Sequence, residues 1–212
     1  AAWGAQSGGQ PPAFCTIEGN HTLNTPTHML AAAALLSKPE DSRRNWAIVA
    51  GGLLPDLSIF VLVGWARLIE NLPHRQIWRE VYWQEPWQTL SAISNSYVIW
   101  AAVALIAYRL GWHIALFVAA AVLVHLSLDF PFHASDAHKH FWPLTDWRFH
   151  SPLSYWNDHH YGRWVGILEL GLVLASMGIL WQRFESRIVR GALLVGLASL
   201  VAVPAFFRWT LG

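Results

Sequence analysis

The sequence predicts an all-α protein, a polytopic membrane bundle of about five transmembrane helices with a short N-terminal half-helix. Of the 212 residues, 54% are hydrophobic and only 13% are charged, whereas soluble domains carry about 25% charged residues. Tryptophan occurs 14 times, and several copies lie at the ends of apolar runs, where a membrane interface would concentrate them. Each run approaches the roughly 20 residues that cross a bilayer. The runs are 46–68, 92–110, 112–130, 164–181 and 189–209.

The N-terminal segment divides into a tail and a short helix. Residues 1–23 lack a basic stretch followed by an apolar core, so we predict a flexible tail and no cleavable signal peptide. Thr25 can cap a helix and Pro26 suits its first position, which predicts a helix over about 26–37 with His28 in its first turn. Its apolar part is too short to span a bilayer. Residues 24–212 are expected to form a single membrane-embedded domain.

The first long run contains the motif GGLLPDLS. Gly51 and Gly52 permit close helix packing, and Pro55 removes a backbone hydrogen bond and tends to kink the helix near Asp56. An ionisable side chain at membrane depth is costly, so Asp56 is a candidate functional residue. The alternative is that Asp56 caps a broken helix.

The richest chemistry follows the third run. Residues 125–160 contain seven of the 11 histidines and four aspartates. His125 and Asp129 are spaced by four, which places both on one helical face where they can share a metal ion. Pro131 disfavours a longer helix, so a His-rich loop at 131–163 is expected to fold back over this site. Its candidate residues are His133, Asp136, His138 and His140. The alternative is that these amphipathic rings simply collect at a membrane interface.

Glu169 is the only acid inside the fourth apolar run and therefore needs a partner. The topology places Glu169 at a depth similar to that of Asp56, His125 and Asp129. We therefore expect the four groups to converge on one site. The alternative is a set of hydrogen-bonded structural polar residues.

Several classes of function are disfavoured. The formal net charge is +1 and no basic tract occurs, so nucleic acid is not an expected partner, whereas membrane lipids are. The single cysteine, Cys15, rules out a metal site built from cysteine pairs, so ligands must come from His, Asp and Glu. No nucleophile elbow or phosphate-binding loop offers a rival chemistry.

Four segments carry a resemblance to a known family. They are NTPTHMLAAAALL (24–36), GGLLPDL (51–57), HLSLDFPFH (125–133) and FWPLTDWRFHSPLSYWNDHHYG (141–162). Together they resemble the YdjM-type predicted metal-dependent hydrolases of the bacterial inner membrane. That family is thought to be distantly related to the zinc-dependent phospholipase C and nuclease fold. The resemblance implies a multi-pass location in a bacterial inner membrane. It also implies a divalent metal cofactor, zinc in the first place and manganese or iron otherwise.

The resemblance also implies a set of site residues. The implied inner ligands are His28, Asp56, His125, Asp129 and Glu169. Further ligands or supporting residues would be His133, Asp136, His140, Asp146, His159 and His160, of which His133 and His160 are included as candidate metal ligands. Asp129 and Glu169 are the candidate catalytic residues.

The expected chemistry is hydrolysis of a phosphoester or lipid-like substrate by a metal-activated water, with Asp129 or Glu169 as ligand or general base. Lys139, Arg148 and Arg163 could hold an anionic headgroup, or they could be ordinary interfacial side chains.

The chain departs from the resembled family at two places. Many relatives have His-Ser at the start of the second span, whereas this chain has Asn95-Ser96, and a neutral amide is a weak metal ligand. Relatives usually start at a methionine just before the Thr-Pro motif, so we expect 1–22 to lie upstream of the natural start. The first departure keeps open a non-catalytic accessory or scaffold subunit of a membrane complex. A transporter is a further alternative.

Overall fold

The computed structural model describes residues 24–155 and 157–198 of the chain. Within these ranges the fold is helical and contains no strand, which confirms the all-α prediction for this part of the protein. The predicted tail and the end of the fifth apolar run lie outside the described residues. The helices are α1 (Asn24–Leu36), α2 (Ser42–Leu68), α3 (His74–Gln76), α4 (Glu85–Ser94), α5 (Tyr97–Leu110), α6 (His113–Asp129), α7 (Gly162–Arg183) and α8, described over 187–198. A π-helical segment (Ile77–Val81) follows α3, and a 3₁₀ turn (Asp158–His160) precedes α7.

Helices α2 and α6 form the central pair, and α1 packs against α2, α6 and α7. The two glycines of α2 make these contacts close. A Cβ atom at Gly51 would collide with the Val118 carbonyl oxygen of α6, and one at Gly52 would lie 2.9 Å from the Cα atom of Met29 in α1. The predicted role of this glycine pair in close packing is confirmed. The same approach brings His28 of α1 and the middle of α2 beside the end of α6.

The apolar run at 92–110 is not one straight helix. It breaks at Asn95 and Ser96, and α4 and α5 meet at a bend of 44°. Polar groups make the break stable. The Ser96 hydroxyl caps α5 by accepting from the Ile99 N–H at 3.1 Å, and the Tyr97 N–H donates to the His140 carbonyl at 2.8 Å. The loop after α6 therefore supplies part of the hydrogen bonding that a continuous helix would have supplied.

Two helices, α2 and α7, are long and apolar enough to cross a membrane, and the bent pair α4–α5 reaches the same length as a third candidate. Helix α6 is apolar but shorter, at 17 residues. Large apolar side chains also point outward on several helices. They include Phe60 and Val61 of α2, Leu105 and Ile106 of α5, and Leu168 and Leu174 of α7. Outward apolar faces of this kind are compatible with lipid contact.

Candidate metal centre

His125 and Asp129 form the base of the site at the end of α6. As the four-residue spacing predicts, the two side chains meet, with His125 Nε2 2.9 Å from Asp129 Oδ2. The other ring nitrogen, Nδ1, lies 2.8 Å from the Gly52 carbonyl oxygen. A carbonyl can only accept, so Nδ1 carries the proton and donates to it. Nε2 is therefore the nitrogen that faces the carboxylate.

Helices α1 and α2 bring His28 and Asp56 to the same place. Asp56 Oδ1 lies 3.7 Å from His125 Nε2, and His28 Nε2 lies 3.4 Å from Asp129 Oδ1. The His28 and His125 rings are 4.1 Å apart, centroid to centroid. Helix α1 begins at Asn24, one residue before the predicted cap Thr25, and the Thr25 hydroxyl donates to Asp56 Oδ2 at 2.5 Å. Of the four groups expected to converge, Asp56, His125 and Asp129 lie together here, joined by His28, which the resemblance implied.

The loop that follows α6 folds back over this base, as predicted from Pro131, which disfavours a longer helix. His133 Nε2 lies 3.4 Å from Asp129 Oδ1, and His133 Nδ1 lies 2.8 Å from Asp136 Oδ2. His138 packs beside His133, with ring centroids 4.9 Å apart, and its Nδ1 lies 3.2 Å from the Ser91 hydroxyl oxygen. The loop thus adds imidazoles to the side of Asp129 that faces away from His125.

Two groups of three side chains have the geometry of metal ligands. Within each group the ligand atoms lie within 4.8 Å of one another. Zinc bonds of about 2.0 Å in a tetrahedral arrangement place neighbouring ligand atoms about 3.3 Å apart, close to the separations around Asp129. The groups are His28, Asp56 and His125, and Asp129, His133 and His138.

The loop imidazoles differ in their charge. Burial lowers the pKa of His133, but the Asp136 and Asp129 carboxylates outweigh it and raise the pKa well above its usual range. Burial and the neighbouring His133 and His140 lower the pKa of His138 to about 3, so its ring is neutral. A neutral imidazole is the form that ligates a metal, so a cation held by His133 would have to displace the second proton of that ring.

Glu169 belongs to neither group of candidate ligands. It is buried on α7, where its Oε1 accepts a hydrogen bond of 2.8 Å from the Thr27 hydroxyl. His160 also lies outside both groups, and its Nδ1 is 3.2 Å from the Pro152 carbonyl oxygen. The roles of Glu169 and His160 as metal ligands therefore remain predictions, because neither residue belongs to the two groups of candidate ligands.

The remaining sequence candidates occupy supporting or outer positions. Asp136 contacts His133, and Asp146 pairs with Lys139 at 2.6 Å. The His140 Nδ1 atom lies 2.9 Å from the Asn95 carbonyl oxygen, which ties the loop to the α4–α5 break. His159 is exposed.

Asn95 itself is buried at the α4–α5 break. It bonds through its amide nitrogen to the Ser91 carbonyl at 3.0 Å. The amide contact lies within α4, whereas the Asn95 backbone carbonyl links α4 to the loop through His140.

Sequence reasoning did not select three side chains that the fold places at the site. His138 was expected on the loop but not as a ligand, and Ser91 and Tyr155 were not singled out. Tyr155 donates from its hydroxyl to the Leu128 carbonyl at 3.0 Å, and its oxygen lies 3.3 Å from His28 Nε2. The only sequence signal for Tyr155 was its place within the 141–162 motif.

Comparisons with known protein families, curated proteins and solved structures found no match to this chain.

Proposed function

We propose that this protein is a multi-pass membrane metal-dependent hydrolase of a bacterial inner membrane, with zinc as the preferred cofactor and a phosphoester or lipid-like substrate. One observation carries the proposal. His125 Nδ1 donates to the Gly52 carbonyl, so Nε2 directs its lone pair at an Asp129 carboxylate oxygen 2.9 Å away unless a second proton or a cation lies between them. A buried metal ion between them would satisfy both atoms.

The other oxygen of Asp129 strengthens the metal interpretation. Asp129 is only 2% exposed, and its Oδ1 has no hydrogen-bond partner among the described residues. A buried carboxylate oxygen without a partner is costly. The Nε2 atoms of His28 and His133 each lie 3.4 Å from it. Nitrogen and oxygen donors arranged in this way suit zinc, manganese or iron.

The metal-dependent chemistry divides among a few side chains. A bound divalent cation polarises a phosphoryl or carbonyl oxygen and makes coordinated water more acidic. His28, Asp56 and His125 would hold it, with Asp129 beside them. Glu169 is the better candidate for the proton acceptor, since it is buried outside both ligand groups while Asp129 faces the imidazoles. Thr27 orients the Glu169 carboxylate through their 2.8 Å hydrogen bond.

The basic residues of the loop have structural partners. The Arg148 guanidinium donates to the Ala137 carbonyl and to Gln88 Oε1 at 2.8 Å, and Lys139 pairs with Asp146. These contacts support a loop-holding role for both residues. The case for a lipid-like substrate therefore rests on the outward apolar helices and on the site's position at the end of α6, and not on a basic headgroup pocket.

The membrane part of the proposal extends the candidate spans to five. Helices α2 and α7 and the bent pair α4–α5 supply three, α6 would be a fourth, and the run at 189–209 would be a fifth. Membrane lipids would surround these helices, and membrane-protein partners could bind their outer faces. The run at 189–209 extends past the described residues, so its contribution rests on its hydropathy.

The test is hydrolysis of a phosphodiester reporter and of a fluorescent phospholipid by detergent-purified protein loaded with Zn²⁺ or Mn²⁺. Turnover should require the metal, vanish with a chelator and vanish in a His125→Ala, Asp129→Ala double variant. The matched control is His113→Gln, which removes an exposed histidine from the other end of α6. Protein that binds metal but hydrolyses neither ester contradicts the hydrolase and favours the accessory subunit, in which Asn95 replaces the histidine of the resembled family.

A further inference from the structure

We propose that Asp129, His133 and His138 form a second cation site, distinct from the one built by His28, Asp56 and His125, and that Asp129 bridges the two. The inference rests on the proposed metal-dependent function and goes beyond it. The family resemblance implies an inner shell that lies on helices and omits His138. The second site instead takes two of its three ligands from the loop after α6.

The two oxygens of Asp129 face different partners. Oδ2 lies 2.9 Å from His125 Nε2, in the first group, and Oδ1 lies 3.4 Å from His133 Nε2, in the second. The His28 Nε2 atom also lies 3.4 Å from Oδ1. Asp129 therefore lies between the two groups, with Oδ1 beside one imidazole nitrogen from each, and a carboxylate in this position can bridge two cations. Asp129 is only 2% exposed, so bulk water does not solvate its carboxylate in place of a cation.

Each loop imidazole has one nitrogen held by a supporting residue. His133 Nδ1 lies 2.8 Å from Asp136 Oδ2, so a proton on Nδ1 is held by the carboxylate and Nε2 faces Asp129. His138 Nδ1 lies 3.2 Å from the Ser91 hydroxyl, and a proton on that nitrogen leaves the Nε2 lone pair for a cation. Metal-binding histidines commonly have such a partner on the second nitrogen, which fixes the ring and the tautomer.

The ligand set indicates the kind of ion and the kind of substrate. Two imidazoles and one carboxylate form a three-ligand set of the type that zinc uses with an open fourth position. Paired cations that share a carboxylate suit phosphoester hydrolysis, because one can stabilise the attacking oxygen and the other the leaving oxygen. The second site therefore favours a phosphoester over a carboxylic ester as the substrate class.

The experiment is a count of zinc ions per chain. Detergent-purified protein is equilibrated with Zn²⁺, freed of excess metal and measured by mass spectrometry together with protein concentration. Wild type should hold two equivalents. His138→Gln and Asp56→Asn should each hold one, because each removes a ligand from a different group. The His113→Gln control should hold two.

Gel filtration shows whether His138→Gln is folded. A second variant tests the same site without removing a ligand. Ser91→Ala keeps every proposed ligand and removes only the hydroxyl beside His138 Nδ1. It should weaken the second zinc by about 10- to 100-fold and leave the first unchanged. Wild type with one zinc that survives His138→Gln overturns the second site and leaves the proposed function standing. Wild type without zinc overturns both.

Discussion

At the scale of single residues, the site is a buried carboxylate surrounded by imidazole nitrogens. Asp129 faces imidazole nitrogens from α1, α6 and the loop, and one of its oxygens has no hydrogen-bond partner among the described residues. Proteins seldom leave buried carboxylates in this condition. The residues around Asp129 could hold a metal ion.

Glu169 provides the prediction that separates binding from chemistry. Glu169→Gln keeps the size of the side chain and lies outside both ligand groups, so zinc content should not change. Hydrolysis should fall by about 100-fold or more, the usual contribution of a general base. Steady-state rates on the phosphodiester reporter, measured with zinc content on the same preparation, test this. If zinc is lost together with activity, Glu169 is a ligand, as the resemblance implies.

A substitution at Thr27 should have a smaller effect of the same kind as Glu169→Gln. The Thr27 hydroxyl donates to Glu169 Oε1, so Thr27→Val should loosen the carboxylate without removing it. We expect a smaller fall in turnover than Glu169→Gln causes, with unchanged zinc content. An equal or larger fall would show that Thr27 has a role beyond orienting Glu169.

At the scale of helices, local rules predicted much of the site. The spacing of His125 and Asp129 fixes their contact because both lie on one helical face, and Pro131 ends α6 where expected. The break at Asn95 was not foreseen, because the flanking residues are apolar and the groups that stabilise the break come from the distant loop. His138 was missed as a ligand for a similar reason. Its position depends on how an irregular loop folds, and Ser91, which holds it, is 47 residues away.

The glycine pair of α2 yields a prediction about helix packing. Gly51→Ala should destabilise the protein by about 1–3 kcal/mol, because the new Cβ meets the backbone of α6, which cannot move aside as a flexible side chain can. Gly64→Ala is the matched control on the same helix. It has open space around the added atom and should be neutral or slightly stabilising. Thermal unfolding of both variants in detergent measures the difference, and equal midpoints would contradict the close α2–α6 approach.

At the scale of the whole molecule, the outward apolar faces and two helices long enough to cross a membrane are compatible with contact with a bilayer. Composition and the long apolar runs predicted the helical class, because a charged fraction of 13% is well below the roughly 25% of soluble domains. It could not fix the number of spans, since α6 is short and α4–α5 is bent.

The membrane account makes a prediction at this scale. The protein should sediment with membranes, remain there after alkaline carbonate washing and be released only by detergent. A peripheral protein would instead appear in the wash. Immunoblotting of the fractions decides between the two, and release by carbonate would contradict the spanning helices.

The measurement that tests the central claim most directly is metal content by mass spectrometry on detergent-purified wild type and on the His125→Ala, Asp129→Ala double variant. The account predicts stoichiometric zinc, manganese or iron in the wild type, its loss in the double variant and its retention in His113→Gln. Wild-type protein that holds no metal, even after incubation with Zn²⁺, Mn²⁺ and Fe²⁺, would contradict the account. In that case the cluster around Asp129 would be a structural network of imidazolium and carboxylate groups.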